Sequence, residues 1–252
     1  MDENQRQSLY QSIAISTGIP LNSSSIATAQ QRKDAFLNLE EFKKYEQRIV
    51  ACIDLLQAEY HILGDATKEA NIHNPIADIS IPTKLYALDI IQQFIKKNYS
   101  KVKESERLGL RWSLLTAARQ VANSNDHLTS DHNRIKSSEG ARILGMKLAG
   151  VISDMAMRDF PQRWTTFVTD IFVPQEQGGI WGTSSTTNSN ENNNNKYNEK
   201  LMIGFKIGLQ CLKIITEDCT DKDFNTKVNI KTINIHAFVF CIIFTLKIWT
   251  LC

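Results

Sequence analysis

Catalysis or metal binding needs side chains that coordinate, attack or carry protons, and these are sparse. His127 and His132 lie beside Asp126 and Asp131. A spacing of five would set the two imidazoles about 140° apart on a helix, and the polar stretch around them reads as loop, so no metal site is expected there. His61, His73 and His236 stand alone. The five cysteines, at positions 52, 211, 219, 241 and 252, form no C-x-x-C pair. Neither a zinc site nor a disulfide framework is indicated, and free thiols of a reducing compartment are the expectation. The chain has no G-x-S-x-G and no H-E-x-x-H. Gly178, Gly179 and Gly182 follow no strand, so they do not read as a phosphate loop. No catalytic residue, cofactor or metal is expected, and an enzyme is the class least supported.

Charge says more. The chain has 252 residues, 42% of them hydrophobic and 22% charged, with a formal net charge of +2. That composition suits a soluble globular chain and excludes collagen-like, fully disordered and polytopic membrane classes. It also argues against a general nucleic-acid clamp. Locally, residues 82–119 hold Lys84, Lys96, Lys97, Lys101, Lys103, Arg107, Arg111 and Arg119 against Asp89, Glu104 and Glu106. Two readings stay open: a solvated helix face, or a patch for RNA phosphates or an acidic protein.

The elements carrying these residues read as helices. Leu9, Ile13 and Ala14 mark an opening segment, broken by Gly18, Pro20 and Asn22. Ser23 to Ser25 can cap a second helix through Ala35, Leu39 and Phe42. Ile49, Ile53 and Leu56 mark a third, ending near Tyr60, and 64–81 reads as loop. From Pro82 a fourth carries Leu88, Ile91, Phe94 and Ile95 to about Asn98. A fifth, from Ser105 to Val121, has Leu108, Trp112, Leu115 and Ala118 as its apolar stripe. Asn123 to Ser138 reads as exposed loop. Leu144, Leu148, Val151, Ile152 and Met155 then share one face between Gly140 and Arg158, and Pro161 should end that helix and open one through Trp164, Phe167, Val168 and Phe172. Residues 175–198, rich in Asn, Ser and Thr, read as a disordered insert. A last helix runs from Lys200 to Glu217 through Phe205, Leu209, Leu212 and Ile215.

The expectation is therefore all-α: a HEAT-like solenoid of antiparallel helix hairpins, or an irregular helical bundle. Periodicity alone does not choose between the two.

Two stretches favour the solenoid. Gln31 to Lys43, with its Glu40-Glu41-Phe42-Lys43 run, resembles the first B helix of importin-β-type transport receptors. Lys147 to Trp164 resembles the exportin signature, in which a helix ends in Arg-Glu-Trp-Pro-x-x-Trp. Here Asp159 and Phe160 stand for the acid and the first aromatic. Ala87 to Ile91 followed by Lys97 is similar to a further exportin segment. The likeness covers about residues 5–225 and lies nearest the exportin-5-like branch, with exportin-1 a near competitor. It implies the N-terminal fragment of a nuclear export receptor: residues 1–60 as importin-β N-terminal-like helices and 82–225 as exportin-1-like helical repeats.

The same resemblance implies binding of the small GTPase Ran in its GTP form along the inner, B-helix face. Nucleoporins and export cargo, structured RNA included, are the other implied partners, and the implied location is nucleus and cytoplasm. Helical projection puts Asp89, Gln92, Gln93 and Lys96 opposite the apolar stripe of one helix. Arg142, Met146, Lys147 and Asp154 lie opposite the stripe of another, where Gly145 and Gly150 would permit close approach. The tail, 227–252, departs from the family. Its apolar run of about 16 residues is short of the roughly 20 a spanning helix needs. An aberrant translated sequence is the preferred expectation, and a membrane anchor the alternative.

Overall fold

The computed structural model describes residues 1–19, 27–57, 80–123, 131–160, 162–172, 206–215 and 217. The expected insert, the apolar tail, Ser23 to Ser25, His127 and Pro161 lie outside the described residues.

Among the described residues every element is helical. Helix α1 (Glu3–Thr17) is opened by a capping box: the Asp2 side chain accepts from Gln5 N, and the Gln5 side chain accepts from Asp2 N. Gly18 ends it in the left-handed region at φ 74°, where a side chain would be strained. Helix α2 (Ala29–Phe42) is capped by Thr28 with Gln31 in the same reciprocal way. The cap expected at Ser23 to Ser25 therefore sits at Thr28, because only there does a Gln follow three residues on. Helices α3 (Arg48–Gln57) and α4 (Ser80–Asn98) follow, and α4 runs into a 3₁₀ turn, Tyr99–Lys101. Helix α5 spans Glu104–Asn123, α6 Asp131–Asp159 and α7 Phe167–Phe172. Residues 206–215 form a last helix, α8.

Paired residues fix the directions. Ser8 and Ser12 of α1 meet Asn38 of α2, while Met1 and Gln5 lie against Phe42 and Tyr45, so α1 and α2 are antiparallel. Arg111 at the start of α5 meets Asp159 at the end of α6, and Val121 meets Gly145, so these two are antiparallel as well. Helices α4 and α6 run the same way over their full shared length: Ile81 meets Gly140, Asp89 meets Lys147, Lys96 meets Asp154 and Tyr99 meets Asp159. Helix α8 also parallels α6, with Ile207 against Gly145 and Cys211 against Ser153. Residues 140, 147 and 154 of α6 thus face α4, and 145, 149 and 153 face α8. Further packing joins α3 to α4 and α5, and α1 to α4. All but three of the buried apolar side chains, the exceptions being Ala35, Ala51 and Ala122, form one continuous cluster from Leu9 to Ile215.

Three expectations need correction. Helix α5 buries only half of its expected stripe: Leu115 and Ala118 are in the core, but the first two members are not. Trp112 is 58% exposed and Leu108 45%, while Leu110, Leu114, Ala117 and Val121 are buried along with Arg107 and Arg111. A pattern reading counts arginine as a surface residue, but here buried partners await both guanidinium groups. Helix α6 begins at Asp131, within the stretch read as loop, because extending a helix already nucleated needs far less than starting one, so a polar sequence can prolong it. Trp164 precedes α7 rather than lying on it.

Two buried thiols give a testable consequence. Cys52 on α3 and Cys211 on α8 are free and fully buried. Burial pushes each from 9.0 to about 12. Unfolded thiols ionise above pH 9 whereas these stay neutral, so the stability they contribute is complete below that pH and is lost as pH rises toward 12. Urea midpoints between pH 7.5 and 10 should fall, with each thiol accounting for about 1 kcal/mol at pH 10. Cys52→Ala should flatten part of that slope.

Candidate functional site

Two polar clusters stand out against the apolar packing. The first is a ladder between the parallel helices α4 and α6. The Lys147 ammonium pairs with Asp89 and donates to Gln92 Oε1 at 2.8 Å. Gln92 Nε2 donates to Asp154 Oδ2 at 2.6 Å, and Lys96 Nζ stands 3.4 Å from the same oxygen. Arg158 continues the line by donating to the Lys96 carbonyl at 3.2 Å. Gly150 passes under Gln92, so the amide bridges the helices with ordinary van der Waals clearance.

Of the eight candidate residues, Asp89, Gln92, Lys96, Lys147 and Asp154 are thus joined in one network. Gln93 is exposed beside it. Arg142 lies one turn before the ladder and turns to its own helix, donating to Glu139 at 2.6 and 2.8 Å and contacting Met146 Sδ at 3.2 Å. Met146 is half exposed. Gln92 is the keystone, since it accepts from one helix neighbour and donates to another. Gln92→Leu should lower stability by about 1 kcal/mol, because both lost bonds are partly exposed and the charges keep other partners. A urea melt beside wild type checks this, and a loss near zero would mean the ladder contributes nothing to holding α4 on α6.

The second cluster lies where α6 ends. Asp159 is fully buried. It accepts from the Tyr99 hydroxyl and stands 3.4 Å from the Arg111 guanidinium. Arg111 also donates to the Arg163 carbonyl at 3.2 Å and lies 4.5 Å from the centre of the Trp164 ring. The Asp159 carbonyl accepts from Arg163 N at 2.6 Å and Trp164 N at 3.0 Å, which turns the chain sharply. Trp164 is buried edge-on against Phe167 with centroids 5.0 Å apart, and its Nε1 donates to Asp170 at 2.6 Å. Arg107 braces the same corner, donating twice to the Val102 carbonyl and lying over the Tyr99 ring at 5.4 Å. Burial, then the bond to Asp159, raise the Tyr99 hydroxyl well above its ordinary value. The sequence reading placed Asp159 and Trp164 at a corner, but not Tyr99, Arg107 or Arg111. The only signal for those two cations was their four-residue spacing on a face with buried neighbours.

The basic stretch is correspondingly reduced. Arg107 and Arg111 point inward, Lys96 is paired with Asp154, and Arg119 lies 4.9 Å from the centre of the Trp112 ring. Lys97, Lys101 and Lys103 stay exposed. Among the described residues no cluster of His, Cys, Asp or Glu could hold a metal ion, and no helix is long and apolar enough to cross a membrane. No known protein-family model matches the chain, and no curated protein matches it.

Proposed function

We propose that the chain is the N-terminal part of a nuclear export receptor of the importin-β superfamily. In this reading its helices form a HEAT-like solenoid of stacked hairpins, α1 with α2, α3 with α4 and α5 with α6. One observation carries the reading: α4, α6 and α8 lie side by side and parallel, and α5, which joins α4 to α6 along the chain, packs antiparallel on α6. A repeat stack needs that arrangement, since each hairpin seals its apolar edge only against the next. The resemblance of residues 31–43 and 147–164 to transport receptors adds the family.

The face bearing Asp89, Gln92, Gln93, Lys96, Arg142, Met146, Lys147 and Asp154 is then the surface for Ran in its GTP form. The chain acts by binding rather than catalysis, working between nucleus and cytoplasm with nucleoporins and export cargo, structured RNA included. Its own polar ladder favours a second reading. Five of the eight residues already satisfy one another, which suits a helical-repeat scaffold that binds no GTPase. A pull-down with Ran loaded with a non-hydrolysable GTP analogue separates the two. The transport reading expects retention of the GTP form over the GDP form, reduced by Arg142→Glu. Equal or absent retention of both forms leaves the scaffold.

A further inference from the structure

A small pocket of about 160 Å³ opens beside the buried corner, where the last turns of α4 and α6 meet. Ile95, Lys96, Lys97, Tyr99, Ser100, Arg158 and Arg163 line it. Four of these seven side chains are cations. Lys97 and Arg163 are exposed, and neither has a carboxylate partner among the described residues. The acids behind the pocket are already engaged: Asp154 by Lys96 and Gln92, Asp159 by Arg111 and Tyr99.

Basic residues in a last helical turn often do no more than offset the helix end, and that must be subtracted. Two helix C-termini bring together about one negative charge. Taking this and Asp154 from four cations leaves about two positive charges around a volume well below the ~300 Å³ at which drug-sized pockets begin. Two charges and one small volume match a phosphate dianion, which carries about −1.5 to −2 at neutral pH. Two arginines add the fork geometry that grips phosphate oxygens in pairs. A nucleic acid fits less well. The cations gather at a point instead of following a strand, and the pocket's one aromatic, Tyr99, is buried and offers no face for a base.

We propose that this pocket binds the phosphate of a phosphorylated side chain on a protein partner. The pocket adjoins the face of the Ran-binding reading and shares Lys96 with it, but Lys97, Arg158 and Arg163 belong to none of the candidate residues of that face. The test is isothermal titration of the full 252-residue chain with an acetyl-capped alanine pentapeptide carrying one phosphoserine. The same peptide without phosphate, inorganic phosphate and a short RNA duplex are run beside it. The phosphopeptide should bind and the unphosphorylated peptide should not. Lys97→Ala and Arg163→Ala should each weaken binding about tenfold at unchanged melting temperature, and rising salt should weaken it further. Phosphopeptide binding indifferent to both substitutions would overturn the proposal, as would no heat with any phosphate probe. Inorganic phosphate binding as tightly as the phosphopeptide would overturn the assignment to a protein partner. So would RNA binding that depends on Lys97 and Arg163 and that the phosphopeptide does not displace.

Discussion

Asp159→Ala should destabilise the fold by about 3–5 kcal/mol, read as a lower urea midpoint with an unchanged slope. The carboxylate has no solvent exposure, and its removal strands a guanidinium that is itself only 8% exposed. Much of the cost is that stranded charge and not the lost attraction. A second variant separates the two contributions. Replacing Tyr99 by Phe, Arg111 by Met and Asp159 by Leu together removes every partner at once. The buried polar atoms Arg111 Nε and Asp159 Oδ1 make no hydrogen bond, so the cluster is only partly satisfied. The triple variant should therefore recover most of the loss. If it is as unstable as Asp159→Ala, the ion pair itself holds the corner.

Trp164→Ala should cost a comparable 3–5 kcal/mol. The ring is 1% exposed and packs on Phe167 and Arg111, and Phe160 lies 5.9 Å from Phe167 in the same group. Alanine would leave a cavity at the one place where α6, the start of α7 and the first turns of α5 meet. It would also free Asp170 from the indole N–H. Trp164→Phe keeps the volume partly filled and should lose less, about 1–2 kcal/mol. Urea denaturation of the pair gives the ranking, and equal loss in both would assign the effect to the indole hydrogen bond rather than to packing. Hydrogen exchange should show the amides of Arg163 and Trp164 losing protection first, since their bonds to the Asp159 carbonyl define the turn.

The amino-acid order by itself determined that these segments are helical, though not where α2, α6 and α7 begin. The turn residues and the spacing of Leu9 with Ile13, Ala35 with Leu39, and Leu144 with Leu148 and Met155 are local features, and local features can be read along a chain. It also fixed which of the eight candidate residues share a helix face, because 3.6 residues per turn leave no choice. What it could not determine was which faces meet. Over its first turns helix α5 offers two competing faces, one with Trp112 and Leu108 and one with Arg107 and Arg111. The first is the more apolar, yet the second is buried. The deciding terms are Tyr99 and Asp159, which lie 12 residues before Arg111 and 48 after it and belong to other elements. The ladder from Asp89 to Asp154 has the same origin. Its members read as a free polar surface on two separate helices, and only the side-by-side parallel packing of α4 and α6 turns them toward one another. Periodicity reports what one helix can bury, whereas the partner that makes burial of a charge affordable comes from elsewhere in the chain, and tertiary packing alone supplies it.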